Sequence, residues 1–329
     1  MDNKRLTLGC TWVQQIVRGA VLTCLLLQAS FFAHESKAEV LYGLTTDGVL
    51  GQINTSTSSW TSVRTVPGQN ALTNYYNLAV YENTFVASWA SVPSTGPLLA
   101  GDFVAFGTTS NDYCLLGHLP DVIGNQGYPA GIQVQPGTST LMGYGSGNST
   151  DTEEALWQFN LKSRNASLVS NSTITLSSCS SLPYATSFHD ANTIYGLRTC
   201  ATGSVPDGTY QVHMHFVKWT YASGAWSEAL DIATTLPVAG PGFGMAEDPS
   251  NPNTLYVTAN GSSNTAFYKL VLSGSTLTIT TLSSISAGSY PIISLAYGPA
   301  TSSIVSPTTV SDISCTDRAL VPLQTMFAN

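Results

Sequence analysis

Two histidines stand two residues apart in the segment YQVHMHFVKW, residues 210–219, in which polar and apolar residues alternate. A period of two is typical of a half-buried β-strand and places His213 and His215 on the same side of it. Two imidazoles can bind one metal ion, but a zinc site needs three or four ligands. The flanking sequence offers no third ligand, so we expect a polar strand face and no metal site.

Carboxylates could support a different chemistry, the hydrolysis of glycans. Glycoside hydrolysis needs two carboxyl groups roughly 5 to 10 Å apart, and Glu247 with either Glu82 or Asp190 could form such a pair. The spacing of these three residues in the sequence does not require that any two of them form a catalytic pair. The chain has no Gly-x-Ser-x-Gly nucleophile elbow and no phosphate-binding loop, so we expect no cofactor and keep catalysis as an alternative.

Tryptophans could provide platforms for sugar rings, because an aromatic face packs on the apolar face of a sugar. Their positions along the strands favour packing within the protein instead. We expect that role for Trp60, Trp89, Trp157, Trp219 and Trp226.

The first 38 residues have the organisation of a secretory signal peptide. Lys4, Arg5 and Arg18 precede the apolar stretch GAVLTCLLLQASFFA, and small residues in SKA precede Glu39. The apolar stretch is shorter than the roughly 20 residues that span a bilayer. We expect cleavage after Ala38 and secretion, with retention as an N-terminal anchor as the alternative, and no membrane span elsewhere.

Composition narrows the class of partner. The chain has 329 residues, of which 43% are hydrophobic and 9% charged, with a net charge of −8. This composition favours a large folded core over disorder, and the negative charge excludes nucleic acid, which requires a basic surface. Five glycosylation sequons are consistent with an extracellular surface and with a glycan or an extracellular protein as partner: Asn54, Asn148, Asn165, Asn171 and Asn260.

A repeated unit organises the chain after the signal. Residues 241–286 consist of four short runs rich in Val, Leu, Thr and Tyr, each bounded by turn residues, as in a four-stranded antiparallel meander. The first strand recurs as NLAVYEN from Asn77, GIQVQPG from Gly131, TSFHDAN from Thr186, GMAEDP from Gly244 and SLAYGP from Ser294. The last unit lacks its other three strands, and residues 39–68 supply them.

A repeat that begins in mid-unit and ends with the missing strand predicts a closed ring. The spacing of about 50 to 60 residues is within the range of β-propeller blades. We therefore expect an all-β, five-bladed β-propeller over residues 39–302, with six blades as the alternative, followed by an irregular tail, residues 303–329. The repeats resemble those of secreted β-propeller proteins with degenerate sequences; this resemblance implies the architecture and no activity.

The strand register also predicts the disulfides. Four cysteines remain after removal of the signal peptide, an even number in an oxidising compartment. Strands on either side of residues 189–192 would bring Cys200 opposite residue 181, near Cys179. We therefore predict Cys179–Cys200 and, by elimination, Cys114–Cys315, which would attach the tail to the body.

The repeat alignment points to a ligand site. One variable polar position falls at the same level of all five inner strands, and convergent polar groups in a concave place are the usual starting hypothesis for a binding site. We expect these side chains to ring one mouth of the central channel: Tyr81, Gln135, His189, Glu247 and Tyr297. The function that follows is an extracellular binding module, with carbohydrate or a cell surface as candidate ligands. The alternatives are a glycan-acting hydrolase with its site at this mouth and a structural surface or wall component.

Overall fold

The computed structural model describes most of the chain from residue 39 to residue 315. The described ranges are 39–66, 74–91, 102–109, 112–118, 130–146, 153–164, 166–169, 172, 174–175, 183–202, 211–238, 243–260, 264–288 and 290–315. Within them, 21 strands and two short 3-10 turns, Thr301–Ser303 and Pro307–Thr309, are present. None of these described elements is a helix with the length and hydropathy of a membrane span.

The strands form five antiparallel sheets, which confirms the five-bladed rather than the six-bladed prediction. Blade 1 contains β1 (Glu39–Thr45), β2 (Val49–Asn54) and β3 (Ser59–Thr65). Blade 2 contains β4 (Asn74–Tyr81), β5 (Thr84–Ser91), β6 (Asp102–Phe106) and β7 (Tyr113–His118). Blade 3 contains β8 (Ala130–Val134), β9 (Thr140–Ser146) and β10 (Glu153–Asn160), against which two short strands pair, β11 (Ala166–Leu168) and β12 (Ile174–Thr175).

The last two blades are regular four-stranded meanders. Blade 4 contains β13 (Pro183–Asp190), β14 (Thr193–Thr202), β15 (Gln211–Ala222) and β16 (Ala225–Ala233). Blade 5 contains β17 (Phe243–Glu247), β18 (Thr254–Asn260), β19 (Thr265–Ser273) and β20 (Thr276–Thr281). The final strand, β21 (Ile292–Pro299), belongs to blade 1.

Blade 1 closes the ring with strands from both ends of the described chain. β21 pairs antiparallel with β1, with Leu41 opposite Tyr297. The buried Tyr42 hydroxyl donates to the Pro299 carbonyl at 2.7 Å. The pairing completes blade 1 as a four-stranded sheet, radial packing of the blades leaves only short, protected edges, and the predicted exchange of strands is confirmed.

Side chains on the inner strands connect adjacent blades. The Leu78 amide donates to Ser294 Oγ at 2.8 Å, and the Ile132 amide donates to Asn77 Oδ1 at 3.0 Å. Each bond satisfies a buried backbone group that its own sheet does not pair. The inner strands of blades 1, 2 and 3 are thereby held in a common register.

A glycine allows the inner strands of blades 3 and 4 to approach more closely. A Cβ atom on Gly131 would lie 2.2 Å from the Thr186 amide nitrogen, and Gly131 has a φ of +63°. Both the close approach and the left-handed conformation therefore require glycine at this position.

The C-terminal strap, which we define as residues 303–315, packs against blades 2 and 3. Val310 and Ile313 are buried in the hydrophobic cluster shared with these blades, and the Ser314 amide donates to the Leu161 carbonyl. Cys315 forms the predicted disulfide with Cys114, with a Cα–Cα distance of 5.3 Å. The strap contains the short 3-10 turn Pro307–Thr309 and is fixed to the body at its end by the disulfide.

The second predicted disulfide involves a residue outside the described ranges. Cys200 is buried and disulfide-bonded. Its predicted partner, Cys179, lies outside the described residues, so this pairing stays a prediction.

Candidate functional site

The five predicted ring residues lie at the ends of the inner strands, on one face of the propeller. Tyr81, His189 and Glu247 stand directly before the turns that lead to the second strand of their blades, and Gln135 stands in such a turn. We call this side of the molecule the turn face. The structure divides these residues among different local sites, so their shared ligand role stays a prediction.

His189 and Glu247 form a side-chain contact between blades 4 and 5. His189 Nδ1 lies 2.8 Å from Glu247 Oε1. The same carboxylate oxygen accepts the Asn253 amide at 2.5 Å, and the Glu247 amide donates to Ser187 Oγ at 2.9 Å. Burial raises the pKa of Glu247, and the bonds from Asn253 and His189 oppose that shift. This pair is engaged within the protein and joins two blades.

Glutamines take part in two further contacts between blades. Gln135 Nε2 donates to the Ala191 carbonyl of blade 4 at 3.0 Å. Gln133 Nε2 donates to the carbonyls of Leu78 and Leu295, each at 3.2 Å. Since Leu78 belongs to blade 2 and Leu295 to blade 1, the Gln133 side chain connects three inner strands close to the axis. These amide donors are satisfied by the protein itself.

Tyr297 lies in an open cleft where blades 5 and 1 meet, which we call the closure cleft. The cleft has a volume of about 510 Å³ and is lined by Glu39, Gln52 and Thr61 of blade 1, Asp248 of blade 5 and Tyr297. The Gln52 amide donates to Thr301 Oγ1, and among the described residues the Gln52 carbonyl oxygen, an acceptor, has no hydrogen-bond donor. None of the described side chains that line the cleft is basic.

The closure cleft is acidic. Burial and the Asp248 carboxylate raise the pKa of Glu39, and burial with the same carboxylates raises the pKa of Tyr297. Asp248 Oδ1 accepts the Ser250 amide at 2.9 Å and its Oδ2 accepts the Asn251 side-chain amide at 3.0 Å, and these bonds fix the turn. Within the described residues, Glu39 and Asp248 form no ion pair. The cleft therefore presents acceptors without a counter-ion.

Tyr81 lies in a second open cleft, between blades 2 and 3, which we call the strap cleft. It has a volume of about 680 Å³, and its lining includes Tyr81, Glu82, Ser139, Asn160 and, from the C-terminal strap, Asp312. The Tyr81 hydroxyl donates to Asp312 Oδ2 at 3.3 Å. Burial and the carboxylates of Asp312 and Glu82 raise the pKa of Tyr81 to about 12.

The histidines of β15 have partners of their own. His215 Nδ1 lies 2.6 Å from Asp231 Oδ1, and His213 Nε2 lies 3.2 Å from Gln211 Oε1. Asp231 also accepts from the buried Arg198 at 2.6 Å. In the described part of the chain, no three His, Cys, Asp or Glu side chains are grouped as metal ligands would be.

Three of the tryptophans are buried, as predicted: Trp157, Trp219 and Trp226. The ring of Trp60 lies against Gly51, where a Cβ atom would be 2.3 Å from the indole. The side chain of Trp89 lies outside what the structure describes. The four described tryptophan rings pack within or against the blades, and these four offer no common sugar platform.

Of the sequons, Asn54 is the one whose side chain the structure describes. It is exposed and belongs to the lining of the closure cleft, and its Oδ1 accepts the Ser56 and Thr57 amides at 2.9 and 3.1 Å. Asn148, Asn165 and Asn171 lie outside the described residues, as does the side chain of Asn260. Glycosylation stays a prediction at all five.

Sequence reasoning missed residues that line both clefts. Glu39 and Gln52 lie on β1 and β2, the second and third strands of blade 1, where no ligand residues were predicted. Asp312 belongs to the C-terminal strap. Asp248 could have been found from the sequence, because it directly follows the predicted ring residue Glu247. No pattern in the sequence pointed to Asp312, because only the tertiary path of the strap brings it to Tyr81.

Comparison with known proteins finds similarity in architecture. No family model and no curated protein matches the chain. Similar solved structures include a putative 6-phosphogluconolactonase from Bacteroides uniformis, with 13% identity, a TM-score of 0.38 and coverage of 76% of this chain and 83% of that chain. TolB from Acinetobacter baumannii has 10% identity, a TM-score of 0.39 and coverage of 74% and 52%. The GH74 xyloglucanase from Xanthomonas campestris has 14% identity, a TM-score of 0.35 and coverage of 73% and 43%.

The five sheets define this protein as a five-bladed β-propeller. Its resemblance to solved propeller proteins is limited to architecture, and likenesses this weak carry over no activity.

Proposed function

We propose that this protein is a secreted binding module that recognises neutral carbohydrate in the closure cleft. The observation that carries this proposal is the grouping of Glu39, Asp248 and Tyr297 around an open cleft without a basic side chain in its described lining. An ionised carboxylate only accepts hydrogen bonds, and it can accept two at once. Adjacent hydroxyl groups of a sugar supply such donors.

The lining also argues against other ligand classes. A phosphate or sulfate group would meet the like charges of Glu39 and Asp248 without a compensating cation among the described lining residues. Tyr297 adds an aromatic ring with a polar end, a combination suited to a ligand with apolar faces and hydroxyl edges. The disulfide is consistent with an oxidising, extracellular compartment.

A glycan-array experiment on the secreted protein tests the proposal. Asp248→Asn removes the charge and keeps an oxygen for the Ser250 amide, but it also removes an acceptor of the Asn251 side-chain amide. Thermal unfolding of the variant therefore checks that the fold is retained. The matched control is Asp190→Asn, because Asp190 Oδ1 accepts the Asn192 amide at 2.7 Å in the corresponding turn of blade 4, outside the closure cleft. We expect Asp248→Asn to weaken binding of neutral glycans about tenfold or more, which is the value of one charge-assisted hydrogen bond.

Two outcomes would contradict this assignment. Equal binding by both variants would place the ligand elsewhere on the molecule. Selective binding of sulfated or phosphorylated glycans would contradict the ligand class.

Hydrolysis is the second candidate function, and Glu39 is the observation that favours it. A carboxyl group with a raised pKa beside a second carboxylate is the arrangement that glycosidases use as acid and nucleophile or base. Release of reducing ends from a bound glycan, abolished by Glu39→Gln, would support a hydrolase. Binding without release would support the binding module alone.

A further inference from the structure

We infer that the strap cleft is a second carbohydrate site and that the protein binds its ligand at two places on the turn face. This inference rests on the proposed function of the closure cleft. It extends that function from binding at one site to bivalent binding at two sites.

The two clefts are built around tyrosines from equivalent places in the repeat. Tyr81 ends the inner strand of blade 2, and Tyr297 lies near the end of the inner strand of blade 1. Each tyrosine is flanked by two carboxylates: Glu82 and Asp312 in the strap cleft, and Glu39 and Asp248 in the closure cleft. Each cleft therefore presents a tyrosine beside two carboxylates, although Asp312 comes from the strap and not from the repeat.

The strap cleft also contains the neutral groups that sugar hydroxyls require. Thr138, Ser139 and Thr140 line one wall, and Asn160 lies beside them. Hydroxyls both donate and accept, so such a wall can bind a polyol in several orientations. The volume of about 680 Å³ is within the range of small-molecule sites.

Asp312 is held in place before any ligand arrives. Its Oδ1 lies 2.9 Å from Lys162 Nζ, and its Oδ2 accepts from the Tyr81 hydroxyl. The Cys114–Cys315 disulfide fixes the strap three residues further on. A wall fixed in advance loses less conformational entropy on binding.

Both clefts open on the turn face because their lining comes from the same ends of the strands. Glu82 and residues 137–140 belong to the first turns of blades 2 and 3, as Asp248 and Ser250 belong to that of blade 5. One surface coated with a repeating sugar can therefore reach both. Linked sites on such a surface raise the apparent affinity by about 100-fold or more over a single site.

Steric blocking of each cleft tests the inference. Ser139→Trp fills the strap cleft from a partly exposed turn, and Thr61→Trp fills the closure cleft from an exposed position on β3. Isothermal titration of the secreted protein would use four neutral probes: cellotetraose, mannotetraose, chitotetraose and laminaritetraose. Thermal unfolding of each variant would check that the fold is retained.

We expect at least one probe to bind twice per chain, each single variant to bind it once, and the double variant not at all. One site that Thr61→Trp abolishes and Ser139→Trp leaves intact would overturn the second site and support the proposed function. No binding of any probe would overturn both. Two sites that survive both substitutions would overturn the assignment to these clefts.

Discussion

His189 of blade 4 contacts Glu247 of blade 5 on the turn face, with 2.8 Å between Nδ1 and Oε1. The Glu247 side chain is 7% exposed, whereas that of His189 is 25% exposed. The pair therefore combines a buried acceptor with a partner that can be removed without a large cavity. Its placement makes it a joint between blades.

Removing the histidine should destabilise this joint. His189→Ala leaves Glu247 with the Asn253 amide as its one remaining described hydrogen-bond donor. We expect the free energy of unfolding to fall by about 1–3 kcal/mol, the usual result when a buried acceptor loses a partner. Chemical denaturation measures this change, and the exposed His213→Ala, expected to cost less than about 0.5 kcal/mol, is the control. Equal losses in the two variants would contradict a special role for the pair.

Gly131 should tolerate no side chain. In Gly131→Ala the new Cβ would lie 2.2 Å from the Thr186 amide nitrogen, in a left-handed backbone conformation. We expect a loss of about 2–5 kcal/mol, because a left-handed alanine and an overpacked contact each contribute. Gly137 is the matched control, since it has a φ of +76° and nothing within 4 Å of its Cβ position. Its alanine variant should lose about 1–2 kcal/mol, and a similar loss at Gly131 would mean that the two backbones can separate freely.

The Cys114–Cys315 bond should contribute substantially to stability. It joins residues 201 positions apart, and closing a long loop restricts the unfolded chain, with a typical gain of about 2–5 kcal/mol. We expect the double substitution Cys114→Ala with Cys315→Ala to lower the unfolding free energy by that amount under non-reducing conditions. An unchanged unfolding curve would show that Val310 and Ile313 hold the strap without the bond.

The ion pair of Asp312 should make the strap sensitive to acid. The Lys162 ammonium lowers the pKa of Asp312 below its ordinary value. The folded state therefore gains stability from this group above a pH of about 4, and that gain is lost as the pH falls through the lowered pKa. We expect Asp312→Asn to lower the melting temperature slightly at pH 7, since exposed pairs contribute little, and to have a smaller effect at pH 3.

A double-mutant cycle with Lys162→Met gives the control for this pair. Lys162→Met should have almost no effect in the Asp312→Asn background, because the partner charge is already gone. Additive effects of the two substitutions would show that the two groups act separately.

The closure of the ring could be predicted because it follows from short sequence patterns. Residues such as those of NLAVYEN and SLAYGP mark inner strands by turn chemistry and alternation, and an incomplete last repeat implies exchange of strands with the N-terminus. The Cys114–Cys315 bond followed by elimination once a register had been chosen. These predictions depend on spacing along the chain, which the sequence contains directly.

The binding partners of the predicted ring residues could not be predicted from spacing along the chain. Gln135, His189 and Glu247 have the polarity of ligand-binding residues, yet in the structure they bond to neighbouring blades. Polarity at a repeat position shows that a side chain needs a partner; it does not show whether that partner is a ligand or the next blade.

The sequence by itself determined the all-β repeat, the exchange of strands in blade 1 and the polar turn face, because each depends on residues close together in one repeat. Only the tertiary structure decided which polar groups are left facing open clefts. Glu39 and Asp248 line one cleft, and the Tyr81 hydroxyl donates to Asp312, across separations of more than 200 residues. Such contacts are set by how closely five blades pack around the axis and by the path of the strap, which no local pattern encodes.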